Sequence, residues 1–228
     1  MIERQYKVDG VTILSDAGLE ALPGADWFRL QWWVDQSAVT EDLGGRGTAL
    51  SIETSLGPAV LRRFRRGGLF GPMLGDRYPG RAADRSRAFR EFRLLARLAA
   101  MQLPVPQPLA ASFEPSGPVY RAALLTRLIP QARQLADVAA ALPEDSWRSL
   151  GATLDRFFHA GLHHPDLNAR NILLDDQGCW HLLDFDRACV VDGRVPRGAM
   201  LKRLARSLGK TAGEGWQRGF SAMNQQLI

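Results

Sequence analysis

Asp166 and Asn171 stand five positions apart in His164-Pro165-Asp166-Leu167-Asn168-Ala169-Arg170-Asn171, and a second carboxylate, Asp184, follows thirteen residues later. Two short apolar runs separate Asn171 from Asp184, Asn171-Ile172-Leu173-Leu174 and Trp180-His181-Leu182-Leu183, around the turn Asp175-Asp176-Gln177-Gly178. Such runs around a glycine turn predict a β-hairpin. A hairpin returns the chain to where it left, so this spacing brings Asp184 back to Asn171. The set then offers one carboxylate to orient a hydroxyl, and an amide with a second carboxylate to hold a hard cation. Those are the two needs of phosphoryl transfer, which asks for little covalent chemistry from the protein. A capping Asp and a turn Asn would explain the loop alone. The fixed loop spacing, the hairpin and the second Asp together argue against that reading.

The arrangement resembles the HxDxxxxN and DFG patterns of protein kinases. That resemblance implies Asp166 as catalytic base, Asn171 and Asp184 as ligands of Mg²⁺, ATP as phosphoryl donor, and His164 and Asn168 as supports of the loop. His163 and His164 lack a third nitrogen or sulfur ligand at a useful spacing, which argues against a zinc site with Asp166.

A kinase needs a cation at the end of a strand for the α- and β-phosphates, paired with a Glu on the next helix. Ala59-Val60-Leu61-Arg62 supplies the strand with Arg in place of Lys, and Glu91 lies on the following helical stretch. Arg63 ranks second for the role. The competing reading makes Arg62 one member of a basic run and Glu91 a surface partner of Arg87, one helical turn earlier. Gly45 and Gly47, in Gly44-Gly45-Arg46-Gly47-Thr48, are the candidate phosphate-covering glycines, although Leu50 stands where a third glycine would be. Gly75 to Ala82 approaches a Walker loop but ends in Arg81-Ala82 instead of Lys-Ser/Thr, and is rejected.

The first third of the chain, rich in glycine and short apolar runs, reads as strands and turns. Helical spacing follows in Phe89, Phe92, Leu95 and Ala99, between about Asp84 and Met101, and Pro104 and Pro106 end it. A second helix begins near Pro143-Glu144-Asp145, with Trp147, Leu150, Leu154 and Phe157 as its buried stripe and Gly161 at its C-terminal end. Met200, Leu201, Leu204 and Leu208 predict a third. Strands first and helices later give an α+β class. The expected architecture is a protein-kinase-like two-lobed fold: a small strand-rich N-lobe over residues 1–125 and a reduced helical C-lobe over 126–228. Only 42 residues follow Asp186, too few for the large C-lobe of a regulatory protein kinase.

The chain carries a formal net charge of +5 over 228 residues, with a pI near 9.7, which points to an anionic partner. Much of the excess is arginine, in Arg62-Arg63-Phe64-Arg65-Arg66 and from Arg81 to Arg97. Neither Cys179 nor Cys189 has metal-ligand spacing, so both are read as reduced cytosolic thiols. No apolar run approaches a membrane span, and MIERQYKVDG lacks the charged-then-apolar pattern of a secretory signal.

Several segments together resemble the bacterial lipopolysaccharide kinase family: Gly45-Arg46-Gly47-Thr48, Val60-Leu61-Arg62, Arg66-Gly67-Gly68-Leu69, Ser86 to Phe92, Leu125-Thr126-Arg127, Asp166-Leu167-Asn168 and Asp184-Phe185-Asp186-Arg187. The resemblance runs from about residue 44 to the Arg203-to-Leu208 stretch. It implies phosphorylation of the 4-hydroxyl of a 3-deoxy-D-manno-octulosonic acid (Kdo) sugar on a lipid A precursor. The enzyme would then sit peripherally at the cytoplasmic face of the bacterial inner membrane. Asp166 carries over as base, Asn171 and Asp184 as Mg²⁺ ligands, and Arg62 with Glu91 as the phosphate-side pair. Pro165 replaces the usual Arg of the catalytic loop and Asp186 the usual Gly after Phe185, which suggests no switching by activation-loop phosphorylation. A Kdo-containing glycolipid and the anionic bilayer are the expected partners; nucleic acid and an obligate protein partner are not expected. The loop Gly67 to Gly75 and the residues Trp27, Trp32 and Trp33 are candidates for membrane contact, with core packing as the competing role. The other readings are a kinase for a soluble acceptor, resembling aminoglycoside or choline phosphotransferases, and a nucleotide-binding pseudokinase.

Overall fold

Asp9 and Gly10 adopt positive φ angles of 48° and 81°, the backbone of a two-residue hairpin turn that matches the twist of its strands. They join β1 (Glu3–Val8) to β2 (Val11–Asp16) and begin an antiparallel sheet. A computed structural model describes residues 1–43, 49–64 and 76–227. Within it the chain divides into two units, Met1–Ala100 with Gln107–Leu128, and Met101–Pro106 with Ile129–Ile228.

After β2, a 3₁₀ turn and α1 (Leu30–Asp35) lead to β3 (Val39–Asp42), β4 (Ala49–Thr54), β5 (Gly57–Arg63) and β6 (Tyr78–Pro79). The helix α2 (Arg87–Ala100) and the hairpin β7 (Pro108–Ser116) and β8 (Val119–Arg127) complete the first unit. Its sheet runs β1-β2-β7-β8-β5-β4-β3, with β6 pairing β8 beyond the end of β5. The central strands β7 and β8 are buried on both faces, so they read as continuous apolar runs instead of alternating ones. On one face Ile13, Leu50, Ile52, Ala59, Leu61 and Leu125 pack with Phe28 and Trp33. Trp27 and Trp32 are partly buried against the same cluster, and both stack edge-on with Trp33. The three tryptophans thus belong to this core. Against the sheet, α2 packs over β7 and β8 and buries Phe89, Phe92, Leu95 and Leu98. The expected stripe named Ala99, which is only half-buried, in place of Leu98.

The second unit contains β9 (Arg133–Gln134), α3 (Leu135–Val138), α4 (Glu144–His159), β10 (Leu162–His163), β11 (Ile172–Leu174), β12 (Trp180–Leu182), β13 (Cys189–Val190), α5 (Arg197–Thr211) and α6 (Trp216–Asn224). Trp147, Leu150, Leu154 and Phe157 are all buried on α4, as their spacing predicts. Gly161, with φ 79°, turns the chain out of that helix. On α5 the buried side chains are Met200, Leu204 and Leu208, while Leu201 is half-buried. The strand-rich first unit and helix-rich second unit give the α+β, kinase-like fold class expected from the sequence.

Candidate functional site

The chain leaves α4 through Gly161 and enters β10, which pairs with β13 through Leu162–Val190 and His163–Cys189. This pairing delivers His164 into the interior, where it is fully buried. Its Nε2–H donates to the carbonyl of Leu183 at 3.0 Å, which sets the tautomer, and its ring meets the buried Phe185 edge-on at 5.2 Å. Burial holds the His164 pKa below its ordinary value, against the opposing pull of the Leu183 carbonyl and of the Asp184 and Asp166 carboxylates. With Nε2 committed to a carbonyl and the ring enclosed, His164 is a brace between two segments and is unsuited to ligate a metal.

Asp166 and Asn171 follow on a loop held from within. Leu167 is fully buried and anchors it. The Oδ1 of Asn168 accepts from the backbone N–H of Arg170 (2.9 Å) and Asn171 (3.2 Å), capping the short 3₁₀ turn Ala169–Asn171. The amide nitrogens of Asn168 and Asn171 both donate to the backbone carbonyl of Asp166, at 2.9 and 3.0 Å. Two side chains thereby fix the backbone that carries the candidate base. Asn171 commits its amide nitrogen to this clamp, so its Oδ1 is the atom suited to a cation.

The hairpin forms as the spacing predicts, with Ile172 opposite Leu182 and Leu174 opposite Trp180. Its turn is shaped by Asp175, whose Oδ1 accepts from the N–H of Gln177 and Cys179 and whose Oδ2 meets His181. The Leu183 N–H donates to the Asn171 carbonyl at 2.9 Å, so Asp184 follows directly on a residue bonded to Asn171. Asp184 itself has φ 62°, a left-handed conformation that Asp tolerates better than most residues. An amide oxygen and a carboxylate oxygen are hard donors of the kind Mg²⁺ prefers, and Mg²⁺ commonly takes only one or two protein ligands beside substrate phosphates. The donor set of Asn171 and Asp184 fits that ion. Among the described residues no group of three or more His, Cys, Asp and Glu gathers into a cage of its own.

Two arginines outside the site predicted from the sequence flank Asp166. Arg203, on α5, donates through Nη2 to Asp166 Oδ1. Arg187, just past the hairpin, has Nη1 3.9 Å from Asp166 Oδ2. One helical turn beyond Arg203, Ser207 accepts from the Ala169 N–H at 3.1 Å, so the same face of α5 meets the loop twice. The Asp184-Phe185-Asp186-Arg187 run contains Arg187, but only the fold shows that it faces Asp166.

In the first unit, Arg62 on β5 pairs with Glu91 on α2. Glu91 is only 2% exposed, and a buried carboxylate of this kind requires a partner. The reading of Glu91 as a surface partner of Arg87 is therefore replaced. Arg87 instead places its guanidinium over the Tyr78 ring at 4.9 Å and near the Phe64 ring. Arg63, the second-ranked cation, pairs with Asp76, which also accepts from Arg121 at 3.2 Å. Gly45 and Gly47 lie outside the described residues, as does the loop from Gly67 to Gly75.

The model of the Lipopolysaccharide kinase (Kdo/WaaP) family matches residues 30–226. A 3-deoxy-D-manno-octulosonic acid kinase from Stenotrophomonas maltophilia is 45% identical over 195 residues, spanning 83% of this chain and 77% of its own. A protein of the same name from Xanthomonas oryzae pv. oryzae is 44% identical over 194 residues, covering 83% of this chain and 76% of that one. The match takes in both the Arg62–Glu91 pair and the clamped loop with its returning hairpin, and the chain belongs to the Lipopolysaccharide kinase (Kdo/WaaP) family.

Proposed function

We propose that this protein transfers the γ-phosphoryl group of ATP to the 4-hydroxyl of a Kdo sugar on a lipid A precursor, during assembly of the lipopolysaccharide core. The observation that carries this reading is the second unit's loop. Asp166 and Asn171 share one backbone clamp, and the hairpin returns Asp184 beside Asn171. In the proposed step Asp166 accepts the hydroxyl proton. The hydroxyl oxygen forms its bond to the γ-phosphorus, the β–γ bridging P–O bond breaks with its electrons going to ADP, and the proton stays on Asp166 until solvent removes it. Asn171 and Asp184 would hold Mg²⁺, which when bound neutralises phosphate charge. Arg62, oriented by Glu91, would hold the α- and β-phosphates, and Gly45 and Gly47 would cover them. Residues 1–125 would thus serve the nucleotide and 126–228 the acceptor and chemistry.

A membrane-anchored acceptor also gives the basic surface a role, since each Lys or Arg near an anionic bilayer adds about 1 kcal/mol of attraction. Peripheral association with the cytoplasmic face of the inner membrane belongs to this proposal. Among the described residues no helix is long and apolar enough to cross a membrane.

The test is mass spectrometry of purified Kdo-lipid acceptor after incubation with enzyme and Mg·ATP. The acceptor is expected to gain one phosphoryl group, and Asp166→Asn to slow the gain by about 10²–10⁴-fold with nucleotide binding retained. An unmodified acceptor, or phosphorylation of an aminoglycoside or choline in its place, would reject the reading. Near-normal turnover by Asp166→Asn would remove that residue from the mechanism.

A further inference from the structure

Asp166 is ion-paired on both carboxylate oxygens. Arg203 bonds Oδ1, and Arg187 stands 3.9 Å from Oδ2. A residue that must accept a hydroxyl proton needs an oxygen of its own for that hydroxyl, and a direct guanidinium bond competes for it. Both arginines still reach solvent, with side chains 46% exposed for Arg203 and 69% for Arg187, against 25% for Asp166. Neither is held by the core: Arg187 is exposed, and the buried side chains of α5 are Met200, Leu204 and Leu208, not Arg203. Two exposed guanidinium groups converging on one carboxylate form a site shaped for a carboxylate, because the planar donor fork matches carboxylate geometry.

We propose that Arg187 and Arg203 are the subsite for the carboxylate of the acceptor sugar, and that this carboxylate replaces Asp166 as the partner of Arg203. The proposal rests on the functional reading above. An octulosonic acid linked through its anomeric carbon keeps a free carboxylate on that carbon, and the 4-hydroxyl lies two ring carbons away. A sugar that presents this hydroxyl to Asp166 therefore carries an anion within the same small region. Through the exchange Arg187 stays beside Asp166 Oδ2. Arg203 passes from the protein carboxylate to the substrate's, and the Asp166 oxygen it leaves becomes the acceptor for the hydroxyl. A neutral sugar cannot draw Arg203 away, so the pair selects for acid sugars and holds Asp166 engaged until one arrives.

The experiment compares the Kdo-lipid acceptor with its carboxyl methyl ester, on the full-length wild type and on Arg187→Gln, Arg203→Gln and Arg203→Lys. The wild type is expected to show a KM about tenfold or more higher for the ester, the scale of one charge-assisted hydrogen bond lost. Each Gln variant should raise the KM for the acid by a similar factor and change the KM for the ester little. Arg203→Lys should recover part of the loss, because it keeps the charge without the fork. Equal losses on acid and ester in both Gln variants would mean that the arginines only hold the loop, and would overturn the proposal. Equal use of acid and ester by the wild type would overturn it as well. If Arg203→Gln does not melt as a folded protein, Arg187→Gln decides alone. Failure of the wild type to phosphorylate the acid at all rejects the functional reading and this inference with it. Phosphorylation without acid-ester discrimination rejects this inference only.

Discussion

Asp184 combines a carboxylate with a left-handed backbone, and the two properties must be separated before its role is measured. Replacement by Ala would remove the proposed ligand and also place a Cβ-bearing residue without Asp's local hydrogen bonding at φ 62°, at a cost of about 1–2 kcal/mol. Asn tolerates that conformation nearly as well as Asp. Asp184→Asn is therefore the cleaner variant, since it keeps the shape and the backbone and removes only the negative charge. The expected outcome is a loss of Mg²⁺-dependent ATP affinity with little change in the melting temperature. Isothermal calorimetry with and without Mg²⁺ reads it directly, and an unchanged Mg·ATP affinity would take Asp184 out of the metal site. His164 differs in kind. Its bond to the Leu183 carbonyl and its contact with Phe185 join the strand before the loop to the end of the hairpin, so any part it has in the proposed chemistry runs through position.

Among the elements of the second unit, α4 and α6 approach each other at two glycines. A Cβ on Gly219 would stand 2.2 Å from Cδ1 and Nε1 of Trp147, and one on Gly151 would stand 2.4 Å from the Met223 carbonyl. Trp147 is itself buried, so its ring has no solvent to move into. Gly219→Ala sets two effects against each other. Helix propensity favours Ala by about 1 kcal/mol, while overpacking a filled core costs about 1–3 kcal/mol. An approach of 2.2 Å to a buried ring puts the cost at the upper end, and the variant is expected to be less stable by about 1–2 kcal/mol. Urea denaturation measures this through the midpoint. A midpoint equal to or above that of the wild type would show that α6 shifts on α4 without strain.

For the molecule as a whole, the most informative titration is that of a buried group outside the proposed chemistry. The folded state keeps His164 neutral by burial, below its ordinary pKa, while in the unfolded chain it titrates near about 6.5. Below that pH the unfolded state binds the proton and the folded state does not. Stability therefore rises with pH in this window, is fully present above about 6.5, and is lost as the pH falls towards the depressed folded value. Wild-type protein should lose more stability between about pH 7 and pH 5.5 than His164→Gln, which cannot titrate. Urea midpoints for both proteins at the two pH values make the comparison. Parallel losses would show that His164 protonates as readily folded as unfolded.

The Asp166–Asn171 loop, the returning hairpin and the helices α2, α4 and α5 are legible in the sequence because each is governed by local rules. A 3.6-residue period buries one stripe, and a turn between two apolar runs pairs its flanks. The hairpin β1–β2 carries an equally plain signal in Asp9-Gly10. The hairpin β7–β8 was harder, because its strands are buried on both faces and lack alternation. The sequence ranked Arg62 ahead of Arg63, but it could not exclude a surface pairing of Glu91 with Arg87. Burial of Glu91 did that, and burial is a property of how α2 lies on the sheet. Arg187 and Arg203 were beyond any spacing rule. Arg203 lies 37 residues from Asp166 on a different element, and which face of α5 meets the loop is set by how Met200, Leu204 and Leu208 are buried. Local periodicity determines what each segment can become, whereas ion pairs between distant segments exist only once packing has brought them together.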